Sequence, residues 1–292
     1  MEECTITFID LNLSSKIAGI FLSLLIITVN LIEIHILRKT ANKPFYENIL
    51  LSLTLLDLIF GVFASTGVLS IYLLKTKYRI TLYWDVWGFG MCYWTLVSIL
   101  HLIIISTDTL WAVWAPLHHR LYVSKRKLVI SITMSWCLPL IFVVPNIIVI
   151  FTKQMGAYKM YTYLQCTMFS DIAKIVVVTD ILLFISYFAI IWTLYKNKTK
   201  ANQNKSANQT KLMTTLIVCM SIVSVFVLFT TPYVAVYIKV WEKPKWLILL
   251  TLYLFPLSQV ANSTIYLVQK YRSKRKESRD KKQANVELDK IT

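Results

Sequence analysis

Residues 98–120 read SILHLIIISTDTLWAVWAPLHHR. The stretch opens as an apolar run, carries one acid, Asp108, and closes in a patch holding His118, His119 and Arg120. No basic residue stands beside Asp108; Thr109 and Leu110 follow it. An ionisable side chain is costly in hydrocarbon and is kept there for a purpose or at a wet edge. The stretch therefore reads as the end of a membrane helix, and Asp108 as its one polar commitment.

The rest of the chain agrees with a membrane setting. Of its 292 residues 57% are hydrophobic, and the mean hydropathy is +0.60. Soluble domains hold about 45–50% apolar residues even with glycine counted. Five cysteines, with no CxxC pair, argue against a disulfide scaffold or a zinc module. The net charge of +16 lies in blocks between apolar runs rather than along one face, which suits a membrane protein better than a nucleic-acid binder.

Seven runs are long enough to span a bilayer core, which takes about 20 helical residues. They fall at 17–37, 49–74, 83–114, 128–151, 172–195, 212–240 and 247–269. Period-two alternation is absent, so these are helices rather than barrel strands. Tyr83, Trp84 and Trp87 at the start of the third run have the make-up of an interfacial belt. If the amino terminus is outside, the inner segments 38–43, 118–127, 196–211 and 270–292 hold 21 of the 31 Lys and Arg. That bias sets the orientation, amino terminus out and carboxyl terminus in.

The expected architecture is thus an all-α membrane protein. It comprises an extracellular segment 1–16, a seven-helix bundle 17–269 and a basic cytoplasmic tail 270–292. The tail lies against anionic inner-leaflet lipid, or is simply a solvated charge run. The opening MEECTITFIDLNLSSK is polar and acidic and does not read as a secretory signal. The sequon at Asn12 lies outside in this topology and is open to glycosylation, whereas those at Asn197, Asn204 and Asn208 lie inside.

Polar residues within the runs need a reason. Asn30 lies in the first, Asp57 in the second, Ser98 in the third, and Ser258, Asn262 and Tyr266 in the seventh. Asp57, Ser98 and Asn262, with Asn30 and Ser258 beside them, are expected to converge on one hydrated pocket. A carboxylate among hydroxyl and amide oxygens fits a sodium ion, since hard cations take oxygen ligands. A water-filled polar network without an ion fits equally.

Several motifs along these helices, LSLTLLDL (51–58), the stretch 98–120 and NSTIY (262–266), resemble in their order those of the rhodopsin-like (class A) G-protein-coupled receptors. Trp136 resembles the tryptophan of that family's helix four and Tyr187 the tyrosine of its helix five. Phe226 and Pro232 stand at the spacing of its helix-six phenylalanine and proline. The likeness covers about residues 20 to 270, and Ser98–His101 is most similar to amine- and trace-amine-type receptors. The resemblance implies a receptor in the plasma membrane, with an extracellular small-molecule ligand and a heterotrimeric G protein as partners. Asp108, Thr109, Tyr187, Phe226, Thr230, Pro232 and Tyr266 would be its switch positions.

The departures are as informative. Asp108 resembles the acid of Asp-Arg-Tyr, but Thr109 stands where the arginine would, and a threonine lacks the guanidinium's fork of charged donors. Asp108 is expected to turn instead to His118 or Arg120, or to be an acid at the wet interface. Thr230 replaces the helix-six tryptophan, Ser263 the helix-seven proline and Thr179 the helix-five proline. Missing prolines remove kinks about which helices swing. The family's helix-three cysteine would fall at Trp84, and Cys92 lies about 12 Å deeper at helical rise. Against that resemblance, Cys4 with Cys166 is the substitute pairing. Cys137 and Cys219 read as buried thiols.

Amine receptors place an acid seventeen residues before the Asp of Asp-Arg-Tyr, and that position is Met91. The remaining ammonium anchor is Asp171, with Ile175 one turn on, facing a wall of Trp87, Met91, Cys92 and Thr95. Asp171 equally suits a helix N-terminal cap or a pair with Lys174. The wall equally suits ordinary packing. Asp180, deeper, is expected to satisfy a neighbouring helix, and Glu33 and His35 to snorkel.

Three functions compete. The first is a receptor for an amine or odorant-like ligand that signals to a G protein through movement of helix six. The second is a signalling-impaired decoy, chaperone or heteromer partner. The third is a transporter, for which no inverted repeat or pair of broken helices speaks. No zinc helix or phosphate loop points to an enzyme.

Overall fold

The computed structural model describes residues 13–39, 45–73, 77–152, 168–200, 220–231, 254, 256–272 and 275. Side chains are undescribed at 13–16, 67–73, 77–87, 120, 150, 151, 169 and 194–200. Every regular element among the described residues is helical. α1 runs Leu13–Lys39, α2 Phe45–Leu73, α3 Lys77–Trp114, α4 Pro116–Tyr122, α5 Lys125–Thr152 and α6 Phe169–Lys200. α7 is Met220–Thr231 and α8 spans 256–272.

Five of these helices contain a segment long and apolar enough to cross a membrane: Ile17–Lys39, Phe45–Thr66, Gly88–Trp114, Lys125–Val149 and Ser170–Thr193. They coincide with the first five apolar runs of the sequence. The helices overrun those apolar stretches, α3 reaching back to Lys77, because the backbone ladder does not stop where hydrocarbon does. The described stretches 220–231 and 256–269 of the sixth and seventh runs lie in α7 and α8.

α3 is the axis of the bundle. It packs against α2, α5 and α6, while α1 packs on α2. In its apolar segment 72% of the residues are buried, against 17% in α5. The outward faces are large and apolar: Phe21, Ile141, Phe184 and Trp192 are all exposed. Lipid tails are as apolar as leucine, so close fit rather than water exclusion holds such helices together. Gly61 shows that fit, since a Cβ there would stand 2.8 Å from Ile26 Cγ2 across the α1–α2 contact. The edge of Trp94 closes the α2–α3 contact against Phe60, with ring centroids 5.6 Å apart. Cys137 is exposed, a correction to its reading as buried, because α5 presents most of its surface outward and a thiol is apolar enough to face lipid.

Pro116 divides α3 from α4. It has no N–H to continue the helix, and it forces Ala115 out of the helical region, at φ −135° and ψ 68°. The chain restarts at once with Pro116 in the first turn of α4. That break turns α4 back beside the end of α3.

Candidate functional site

Buried polar side chains from α1, α2 and α8 meet in the bundle. On α8, Gln259, Asn262, Ser263 and Tyr266 recur at helical spacing, and all four are buried. Ser263 Oγ donates to Asn30 Oδ1 at 2.8 Å, and Asn30 Nδ2 donates to the Ile26 carbonyl at 2.8 Å. The residue that stands where the resemblance puts a proline thus ties α8 to α1. Asp57 is 2% exposed. With its amide nitrogen turned toward the carboxylate, Gln259 donates to both oxygens of Asp57, at 2.7 Å to Oδ2. Glu33 is 1% exposed, lies beside the hydroxyls of Ser263 and Thr54, and is close enough to Asp57 for their charges to interact. It does not snorkel, because its face of α1 is the one that meets α2, whereas His35 is exposed. Glu33 Oε1, Ser98 Oγ and Asn262 Oδ1 are buried with no hydrogen-bond partner among the described residues. Ser258, on α8 next to Gln259, is also buried.

A second network joins α2, α3 and α5. His101 Nδ1 lies 2.8 Å from the Val97 carbonyl. A carbonyl only accepts, so Nδ1 carries the proton and Nε2 of the neutral ring accepts. Nε2 faces Ser52 Oγ at 2.9 Å and Ser135 Oγ at 3.3 Å. Trp136 Nε1 donates to Ser52 Oγ at 2.9 Å, and Tyr93 Oη donates to the Trp136 carbonyl at 2.9 Å. Ser52 is the hub, accepting from the indole and donating to the imidazole.

A third cluster lies where α2 begins and α8 ends. Glu47 Oε1 takes Lys270 Nζ at 3.0 Å and lies 3.4 Å from both the Tyr266 and Tyr46 hydroxyls. Glu47 is almost fully buried and Lys270 a quarter exposed.

At the end of α3 Asp108 pairs with His119, Nε2 to Oδ1 at 2.8 Å, rather than with His118; the side chain of Arg120 lies outside the described residues. The restart at Pro116 rotates His119 onto α3, where it meets the edge of Trp111, and leaves His118 beside Tyr122. Thr109 is 3% exposed and donates to the Ile105 carbonyl at 2.7 Å. Tyr187 Oη lies 3.0 Å from Ser106 Oγ, which donates to the Leu102 carbonyl, linking α6 to α3. Thr230 Oγ1 stands 3.4 Å from Asp180 Oδ2, and Phe226 is fully buried.

The ligand-side residues are not brought together among the described residues. Met91, Cys92 and Thr95 are buried in the core, with Thr95 Oγ1 on the Met91 carbonyl. Asp171 is exposed and paired with Lys174 at 2.8 Å, and Ile175 is exposed one turn on. Cys4, Asn12, Cys166, Cys219 and Pro232, with the side chain of Trp87, lie outside the described residues.

Sequence reasoning missed Gln259, Glu47, Lys270 and the part played by His119. The spacing of Gln259, three residues before Asn262, was the signal that could have found it. A comparison with curated proteins finds no match. The model of the family described as 7 transmembrane receptor (rhodopsin family) matches residues 24–266.

Proposed function

The chain belongs to the rhodopsin family of seven-transmembrane receptors, a multi-pass membrane receptor and not an enzyme, and from that premise we propose how it works. It crosses the plasma membrane seven times with its amino terminus outside, senses a small extracellular amine or odorant-like molecule, and passes the signal to a heterotrimeric G protein. The observation that carries this reading is the pair of buried polar links that tie α8 to α1 and to α2, Ser263 to Asn30 and Gln259 to Asp57. Each such contact is satisfied in one helix arrangement and would be exchanged in another, which makes the bundle bistable rather than continuously deformable. A ligand that binds the open arrangement better by a few kcal/mol shifts the balance.

In this reading Asp171 supplies the carboxylate for an ammonium ligand, with Ile175 one turn on. Its present partner Lys174 is readily displaced, because an exposed ion pair contributes about 0–1 kcal/mol. The receptor's helix six, of which α7 with Phe226 and Thr230 is the described part and which Pro232 follows in sequence, moves outward at its inner end, and Tyr187 and Tyr266 rearrange beneath it.

One observation favours the second reading, a receptor-shaped partner or decoy that signals weakly. Thr109 is closed into the core on the Ile105 carbonyl, so this position presents no cation to a G protein. The test is amine-stimulated nucleotide exchange on purified G proteins by the full chain in nanodiscs. The receptor reading expects at least one amine to accelerate exchange and Asp171→Ala to abolish the response; the weak-signalling reading expects silence that Thr109→Arg relieves. Silence from both wild type and Thr109→Arg would remove both.

A further inference from the structure

Asp57, a buried acid on α2, is the natural place to look for a bound cation. Its donor set does not fit one. We infer that the side-chain amide of Gln259 occupies the place at Asp57 that a sodium ion would take, so that an internal amide–carboxylate pair, not a cation, closes the centre of this receptor.

The argument is one of atoms and space. Both carboxylate oxygens of Asp57 are engaged by the same amide nitrogen. An amide nitrogen has protons to give and no lone pair for a metal. Turned over, the amide oxygen would accept from a protonated Asp57 carboxyl, which is again an internal pair, or would need a cation between the two groups. There is no room for it. A hard cation of calcium's size, close to that of sodium, sits about 2.3–2.6 Å from each of its oxygens, and the amide stands 2.7 Å from Asp57 Oδ2.

Both side chains are 2% exposed, so the pair is shielded from competing water. The amide is also covalently part of α8. Where a free ion would link α2 to α8 only when bound, Gln259 links them always, and the link does not depend on the salt outside the cell. Glu33 Oε1, Ser98 Oγ and Asn262 Oδ1 remain as buried polar oxygens, the kind of group that ordered water satisfies.

The experiment is thermal unfolding of the purified full chain in nanodiscs, in sodium chloride and in choline chloride at equal ionic strength. It reads neither ligand nor G protein, so its outcome is independent of whether the chain signals. Wild type is expected to have the same midpoint in both salts. Gln259→Ser frees the carboxylate and adds an oxygen, and is expected to gain a saturable, sodium-specific rise of several degrees (ligand linkage to the folded state), which Asp57→Asn then removes. Gln259→Asn keeps the amide but shortens its reach, and is expected to gain a smaller rise; it carries the test if the serine variant does not fold. A saturable sodium effect in wild type that Asp57→Asn abolishes would overturn the inference. So would indifference to sodium in both folded Gln259 variants.

Discussion

Replacing Ser52 by alanine removes a single oxygen that two helices share. The hydroxyl stands 2.9 Å from His101 Nε2 and 2.9 Å from Trp136 Nε1. His101 keeps a second neighbour, Ser135 Oγ at 3.3 Å, so its loss is small. The indole N–H has no substitute in that direction. An unsatisfied buried donor costs about 1–3 kcal/mol in general, and interhelical hydrogen bonds in membranes average about 0.6 and reach about 1.7 kcal/mol. A value of about 1.5 kcal/mol for Ser52→Ala follows, equivalent to a fall of about 3–6 °C in the unfolding midpoint for a chain of this size. Intrinsic tryptophan fluorescence or a thiol-reactive dye follows the transition in detergent, at one scan rate because such unfolding is seldom reversible.

Two companions sharpen the test. Ser135→Ala is expected to shift the midpoint by under a third as much, since the Ser135 hydroxyl donates to the Ile132 carbonyl at 2.8 Å and only assists His101. The double variant is expected to exceed the sum of the two, because it leaves Nε2 with neither serine. A Ser52→Ala shift under about 1 °C, which on the same scale is well under 1 kcal/mol, would refute the reasoning. So would a Ser135→Ala shift as large as that of Ser52→Ala.

Two further perturbations probe other parts of the account. Gly61→Val drives a Cβ to 2.8 Å from Ile26 Cγ2, and is expected to cost about 1–3 kcal/mol by overpacking and to lower the yield of folded protein by size-exclusion fluorescence; an unchanged elution profile and midpoint would contradict the α1–α2 packing. Lys270→Met strands the carboxylate of Glu47, whose side chain is 6% exposed. It is expected to destabilise more than Glu47→Gln, which keeps hydrogen-bonding capacity toward Tyr266, because one partner of a buried pair left alone costs up to about 3–5 kcal/mol; equal effects of the two variants would mean that the pair is not held as described.

The helices were legible because lipid imposes a single rule on the backbone, and runs of apolar residues report it directly. Asp57, Asn30, Asn262 and Ser98 were legible for the complementary reason that each breaks such a run. The rest depended on rotation about helix axes, which a run apolar on most sides does not encode. Glu33 and His35 are two residues apart on α1, yet one faces α2 and the other is exposed. His118 and His119 differ by about 100° around α4, and only the restart at Pro116 decides which of them meets Asp108. Gln259 lies inside the seventh run, and its role shows only once α2 is set against it. Lys270 and Glu47, 223 positions apart, are neighbours only after the bundle closes.

The most direct test of a ligand-driven opening between helices three and six is a distance measurement across that gap. Spin labels at the exposed positions Trp114 and Ser224, in the full chain in nanodiscs, report the separation by double electron–electron resonance. An amine that stabilises the protein against heat, and fails to do so with Asp171→Ala, is expected to lengthen and broaden the distance distribution. Identical distributions with and without such a bound amine would contradict the proposal that this bundle switches.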